Sequence, residues 1–351
     1  MKNLLSLCFL VLAVSPATAQ TLFRSGIFLH HSTGACIWGP NGSSTSVPQE
    51  MVEYNTFHGY TGQQAVTMNE EWWSSPDNEW STQHAFFEDP NPINGIGYYL
   101  PGNKIVVIKS CFPSSAMTDA GQAGDTLYPE MKTIYNYKWH WRHIVHVMRS
   151  HPDNFFVIWT NAPLEPFSTT PSEAALSKWF CTWAKDTLAL GLDPVFGTFP
   201  ANVYVFDFFH KLTGPDGMML PQYAAGPGDS HPNAEATELV APQFVQEIFN
   251  ASIGYEIVYG IPHTDITDNQ FLKAFPNPIG EKVTIFFRVS GVQHASLTLF
   301  DAIGRKKQTL WTGEEAGTHG ITVIRSDLMP GLYFLRLSDG GLTRTLLLLC
   351  Q

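Results

Sequence analysis

The chain has 351 residues, 44% apolar and 13% aromatic, enough core-forming side chains to exclude global disorder. Its 31 acidic and 20 basic residues give a net charge of −11 at pH 7, and no basic run interrupts that balance. A surface built to neutralise nucleic-acid phosphates is therefore excluded.

Taken in chain order, residues 1–19 read as a secretory signal. Lys2 supplies the positive end, residues 4–14 the apolar stretch, and Ala17-Thr18-Ala19 a small-residue cleavage site. After it, no apolar stretch approaches the roughly 20 residues of a membrane-spanning helix. Short apolar runs at 27–29, 105–108, 155–159 and 203–206 each end in polar, Gly or Pro residues, the pattern of buried parallel strands. Leu127, Met131, Ile134, Trp141, Val145 and Met148 trace a helical stripe, and Leu176, Phe180, Trp183 and Leu188 trace another over 172–190. A last helix is predicted from about Asn233 to about Asn250. The expected fold class for residues 20–255 is α/β, a parallel sheet with helices on both faces, its chemistry at the carboxyl ends of the strands. Residues 256–270 read as a linker. From 271 to 351, short strands separated by turn residues predict a small antiparallel β-sandwich.

Two motifs carry chemistry. Phe28-Leu29-His30-His31-Ser32-Thr33-Gly34 follows the first strand, where a serine on a tight turn is held clear of the sheet. Taken alone, Ser32 reads more simply as a helix N-cap. Gly228-Asp229-Ser230-His231-Pro232-Asn233 precedes the last helix. There His231 could take the serine proton and Asp229 could orient the ring. Taken alone, this loop reads as a polar turn capped by Asn233. Together, at opposite ends of one α/β unit, the two motifs favour the catalytic reading.

This order of motifs resembles the SGNH hydrolases, also called GDSL esterases, over roughly residues 24–250. The resemblance implies an SGNH-like, flavodoxin-like fold, with Ser32 as nucleophile and Ser32 and Gly59 as backbone oxyanion donors. Where the family's third block should lie, the chain reads Lys109-Ser110-Cys111-Phe112-Pro113-Ser114-Ser115. The family's oxyanion asparagine is missing there, and Asn161 is the candidate substitute. The last block has one residue between acid and histidine instead of two, so a Ser32–His231 dyad is an alternative to a triad with Asp229.

At the other end, Phe275-Pro276-Asn277-Pro278, residues 299–305, Pro330-Gly331-Leu332-Tyr333-Phe334 and Thr343-Arg344-Thr345 resemble the C-terminal sorting domain of the type IX secretion system of Bacteroidetes. That resemblance implies engagement with the secretion machinery and passage across the outer membrane to the surface or medium. One departure is Cys350-Gln351, where a basic residue would be more familiar.

The remaining candidates stay open or bland. Cys36 and Cys111 fit a disulfide and two buried thiols equally well. Glu70-Glu71-Trp72-Trp73 and Glu79-Trp80 form an acidic, aromatic insertion, either a satellite core under a loop or a sugar-stacking wall. His140, His143 and His146, without a His-Glu-x-x-His or Cys-x-x-Cys partner, read as a half-exposed polar face, so no metal or cofactor is expected. The function expected is a secreted serine esterase removing acetyl or similar groups from a carbohydrate. The alternative is a non-catalytic glycan-binding or cell-surface protein on the same fold, with an acyltransferase as a weaker third.

Overall fold

The structure, a computed structural model, describes residues 22–73, 79–91, 93–259, 272–275, 277–289, 294–339 and 342–350. The expected signal at 1–19 and residues 260–270 of the expected linker lie outside these.

The first unit runs β1 (Ser25–His30), α1 (Thr33–Trp38), α2 (Val47–His58), β2 (Thr67–Trp72), α3 (Glu79–Glu88), β3 (Ile105–Ile108), α4 (Ile134–Arg149) and β4 (Phe155–Trp159). It continues through α5 (Pro171–Trp183), β5 (Val203–Phe206), α6 (Phe208–Leu212), β6 (Ala224–Gly226), β7 (Asp229–Pro232) and α7 (Ala234–Tyr259). Five strands form one parallel sheet in the order β2-β1-β3-β4-β5. The order reverses between β1 and β3, and such a switch point leaves a crevice at the strands' carboxyl ends.

The strand period of two divides the core. Phe28, Val107, Val157 and Phe206 face one side with Ile37, Met51, Phe244 and Ile248 of α1, α2 and α7. Leu29, Val106, Ile158 and Val205 face the other with Trp80, Trp141 and Phe180 of α3, α4 and α5. All four residues of β3 are buried, which is why this strand is continuously apolar. Burying each such side chain is worth about 1.5–3 kcal/mol.

Several expectations need correcting. The acidic, aromatic insertion is no loop: Glu70, Glu71 and Trp72 belong to β2, an edge strand with only Met68 buried, and Trp80 lies in the α3 core. Helix α4 begins at Ile134, with Thr133 accepting a hydrogen bond from the Asn136 N–H (3.3 Å). Leu127 and Met131 are exposed and outside it. Asn136 instead ties down the preceding loop by donating to the carbonyls of Asp125, Tyr128 and Met131. His140, His143 and His146 share no common environment, being fully buried, half-buried and exposed in turn. Helix α7 passes position 250 because Ile253 and Tyr255 still pack in the core and Glu256 pairs with Arg24 at 3.1 Å. It therefore takes in residues 256–259 of the expected linker.

The second unit contains β8 (Leu272–Phe275), β9 (Lys282–Val289), β10 (Ala295–Asp301), β11 (Lys306–Gly313), β12 (Gly317–Ile324), β13 (Gly331–Asp339) and β14 (Leu342–Cys350). They form two antiparallel sheets, β11-β10-β13-β14 and β12-β9-β8. Alternate residues of β9 (Val283, Ile285, Phe287) join Leu297, Leu299, Leu335 and Leu337 in a core cluster of its own. Cys350 is buried in that cluster, which is how the terminal strand accommodates it.

Candidate active site

The turn from β1 into α1 is the starting point. Ser32 stands between them with φ 47° and ψ −105°, and among the described residues no other non-glycine has positive φ. An L-residue held there costs about 1–3 kcal/mol. The turn is tight enough to need Gly34, since a Cβ at that position would lie 2.5 Å from the His30 Cβ. The simple N-cap reading of Ser32 fails, because its side chain makes no capping bond to α1. Its Oγ lies 2.5 Å from His231 Nε2 instead.

His231 is carried by β7, which pairs with β6. In a strand, residues i and i+2 share a face, so Asp229 and His231 project together while Ser230 points inward. Ser230 is buried and its Oγ accepts the Glu165 N–H at 3.0 Å, anchoring β7. Asp229 Oδ1 accepts both the His231 N–H (3.0 Å) and the His231 Nδ1–H (2.5 Å). The shortened spacing thus still brings acid to ring. These two bonds, the backbone one first, hold the Asp229 carboxyl below its ordinary range. With Nδ1–H given to Asp229, Nε2 faces Ser32 as the acceptor of the hydroxyl proton. The row is open to water, with the Asp229 side chain 51% exposed and that of His231 36%. The Phe112 ring packs edge-on to the imidazole, centroids 4.9 Å apart.

His31 points the other way, into a buried cluster that sequence reasoning did not assemble. Its Nδ1–H donates to Trp73 O (2.8 Å), and its Nε2 lies 3.0 Å from Glu79 Oε1. Both partners are acceptors, so the ring carries both protons. Contact with Cys111 first, and with Glu79 second, raises its pKa to about 9 against the opposing effects of burial and Lys109. The buried carboxylate of Glu79 also accepts the Cys111 N–H. Burial raises the Cys111 thiol, yet the His31 cation, the nearby Lys109 charge and Thr33 together bring it down to about 6. Thr33 Oγ1 stands 3.1 Å from its sulfur. Cys36 and Cys111 are both free thiols, so of the two alternatives for them the disulfide is absent.

Two proposed oxyanion donors are not available for that role. Gly59 is the C-cap of α2, and its N–H is turned back onto the carbonyls of Asn55 and Thr56. Asn161 is fully buried, its Oδ1 accepting from Trp80 Nε1 (2.8 Å) and its Nδ2 facing Ser177 Oγ at 3.5 Å. Of the donors named from the sequence, the backbone N–H of Ser32 alone is left. Glu79 and Cys111 were visible as residues, but nothing local links positions 31, 79 and 111; only the three-dimensional fold does.

Comparison with known proteins defines the second unit. Residues 273–348 match the family described as the secretion system C-terminal sorting domain. The C-terminal sandwich is a type IX sorting domain, and the protein is exported to the cell surface or secreted, by a route found in Bacteroidetes. No helix among the described residues is long and apolar enough to cross a membrane. No curated protein matches the sequence. Among solved structures, a gut microbial diltiazem-metabolizing enzyme is 8% identical, with 86% of this chain and 72% of that one covered and a TM-score of 0.37. A β-glucosidase from Erythrobacter marinus is 9% identical, with 94% and 47% covered and a TM-score of 0.22.

Proposed function

We propose that residues 22–259 are an SGNH-type serine esterase, exported to act on acylated carbohydrate. The observation that carries this reading is the row Ser32 Oγ, His231 Nε2, His231 Nδ1, Asp229 Oδ1, with 2.5 Å at each contact. In the proposed reaction His231 takes the hydroxyl proton as Ser32 Oγ attacks the acyl carbonyl, and the Ser32 N–H faces the developing oxyanion. His231 then returns the proton to the departing sugar oxygen, leaving the acyl group on Ser32. Water, deprotonated by the same ring, attacks the acyl-enzyme and releases the acid and free serine. No step requires a cofactor.

Carbohydrate is favoured by Trp72. It closes β2 at the same end of the sheet, is 65% exposed, and lies with its ring 5.9 Å from that of His31, the residue before Ser32 in the chain. An exposed indole at the carboxyl end of the strand beside β1 suits the apolar face of a sugar ring. The test is hydrolysis of a p-nitrophenyl acetate and of an acetylated polysaccharide by wild type, Ser32→Ala and Trp72→Ala. Wild type should cleave both and Ser32→Ala neither, while Trp72→Ala should lose activity selectively on the polysaccharide.

A second reading is favoured by the same site's openness. With Gly59 and Asn161 otherwise engaged and Asp229 half in water, the unit would be a glycan-binding surface protein that does no chemistry. It predicts glycan binding that Trp72→Ala weakens and Ser32→Ala leaves unchanged, with no ester cleavage.

A further inference from the structure

We propose that His84 and Glu88 of α3 and His143 of α4 form a binding site for a divalent transition-metal cation of the zinc class. One ligand atom from each of these residues lies within 4.8 Å of the other two. His84 and Glu88 are one helical turn apart, so they share a face of α3, and His143 meets them from the facing helix.

The hydrogen bonds around the two rings fix where their lone pairs point. Pro129 O can only accept, and it lies 2.8 Å from His140 Nε2, which therefore carries a proton. His140 is fully buried, so its ring is neutral and its Nδ1 bears a lone pair. That Nδ1 is 2.8 Å from His84 Nδ1, which must then be the donor. The chain of bonds leaves His84 Nε2 as a lone pair. This atom is buried, has no hydrogen-bond partner, and stands 2.9 Å from the Glu88 carboxylate, acceptor against acceptor. His143 repeats the logic: its Nδ1 bonds Trp139 O at 2.9 Å, leaving Nε2 as the free lone pair. A proton could bridge two of these three acceptors, whereas a cation satisfies all three.

The remaining features fit that occupant. Two imidazoles and one carboxylate suit a zinc-class ion, with water in the open position. Metal–ligand bonds of about 2.0–2.2 Å put two ligands of one ion at most about 4 Å apart, so the widest pair need close by less than about 1 Å. Each histidine is oriented through its far nitrogen, by His140 or by a backbone carbonyl, as metal-ligating histidines are. The Trp139 ring covers both, 4.6 Å from His84 and 5.0 Å from His143. Exposed Glu88 leaves a path in from solvent. Bound there, the ion would clamp α3 to α4. Because Glu79 opens α3 and holds His31, the clamp would also steady the support beneath Ser32. The site does not depend on the esterase reading.

The experiment strips the full mature chain with a chelator and titrates it with Zn²⁺ and with Co²⁺, alongside His143→Ala and Glu88→Gln. Neither variant removes a fully buried side chain, and circular dichroism checks each fold. Wild type should bind one ion per chain, give the visible d–d bands of a cobalt–imidazole site, and gain thermal stability with Zn²⁺. His143→Ala should bind about 100-fold more weakly, Glu88→Gln at least about tenfold, and neither should be stabilised as wild type is. Failure of wild type to bind either ion, or binding unchanged in both variants, would overturn the assignment.

Discussion

Ser32 and His31 are neighbours in sequence and opposites in environment. The Ser32–His231–Asp229 row lies open to water, its acid half exposed, and acid meets ring because a strand holds residues i and i+2 on one face. The His31–Glu79–Cys111 cluster lies one residue away and is closed, with a buried carboxylate between a cationic ring and a backbone N–H. Exposed charge pairs add little to stability because water screens them, and the same exposure leaves their atoms accessible to a substrate. Buried pairs are costly to break and too enclosed to meet one. On the proposed reading the turn after β1 divides chemistry from support between two adjacent side chains, and substitutions on the two sides should fail in different ways.

The largest effect expected is on turnover. Ser32→Ala should lower ester hydrolysis by about 10⁴-fold or more in steady-state kinetics while the chain stays folded. His231→Ala should follow at about 10³-fold, since it removes the proposed general base. Asp229→Asn should cost less, about tenfold, because its contact with the ring is half in water. If Asp229→Asn proves the more damaging of the last two, the contrast between open row and closed cluster is wrong.

On the closed side the loss should be of stability. Glu79→Gln removes the buried carboxylate that faces the His31 cation and should cost about 3 kcal/mol in denaturant unfolding. Asp229→Asn should cost less than about 1 kcal/mol. The cluster also sets a pH dependence. His31 has its pKa raised from 6.5 to about 9, so its contribution is complete below 6.5 and is lost as pH rises through 9. Cys111 is lowered from 9.0 to about 6, so its contribution is present above 9 and lost as pH falls through 6. The window in which both ions persist is therefore about 6 to 9. Across that window the His31 contribution falls with pH as the Cys111 contribution rises, so the two offset each other and thermal unfolding should show little net slope from this cluster.

The smallest expected effect on chemistry comes from removing the sorting domain. Its core cluster shares no residue with those of the first unit, so a chain truncated after Thr267 should keep its esterase rate. In the native host that truncation should abolish surface delivery, as read by antibody in periplasmic and surface fractions.

What the sequence disclosed follows from where each residue sits. Strands β3, β4 and β5 and the centre of β1 were legible because burial on both faces makes them unbroken apolar runs. Strand β2 was not, since an edge strand facing water reads as acidic loop. The start of α4 was misplaced because Leu127 and Met131 happen to continue its stripe while standing in solvent. Ser32, His231 and Asp229 could be named from local motifs at the ends of elements. The Asp229 contact was open until the extended backbone of β7 explained it. The His31 cluster, and the meeting of His143 with His84 and Glu88, had no local signature, because each is assembled from elements far apart in sequence.

The central claim is that Ser32 is a nucleophile made competent by His231. Its most direct test is intact-mass and peptide-level mass spectrometry of the purified chain after exposure to a fluorophosphonate. One adduct per chain, located on Ser32 and absent from Ser32→Ala and His231→Ala, is the result predicted. A folded wild-type protein that takes up no adduct, or takes it up at another residue, would contradict it.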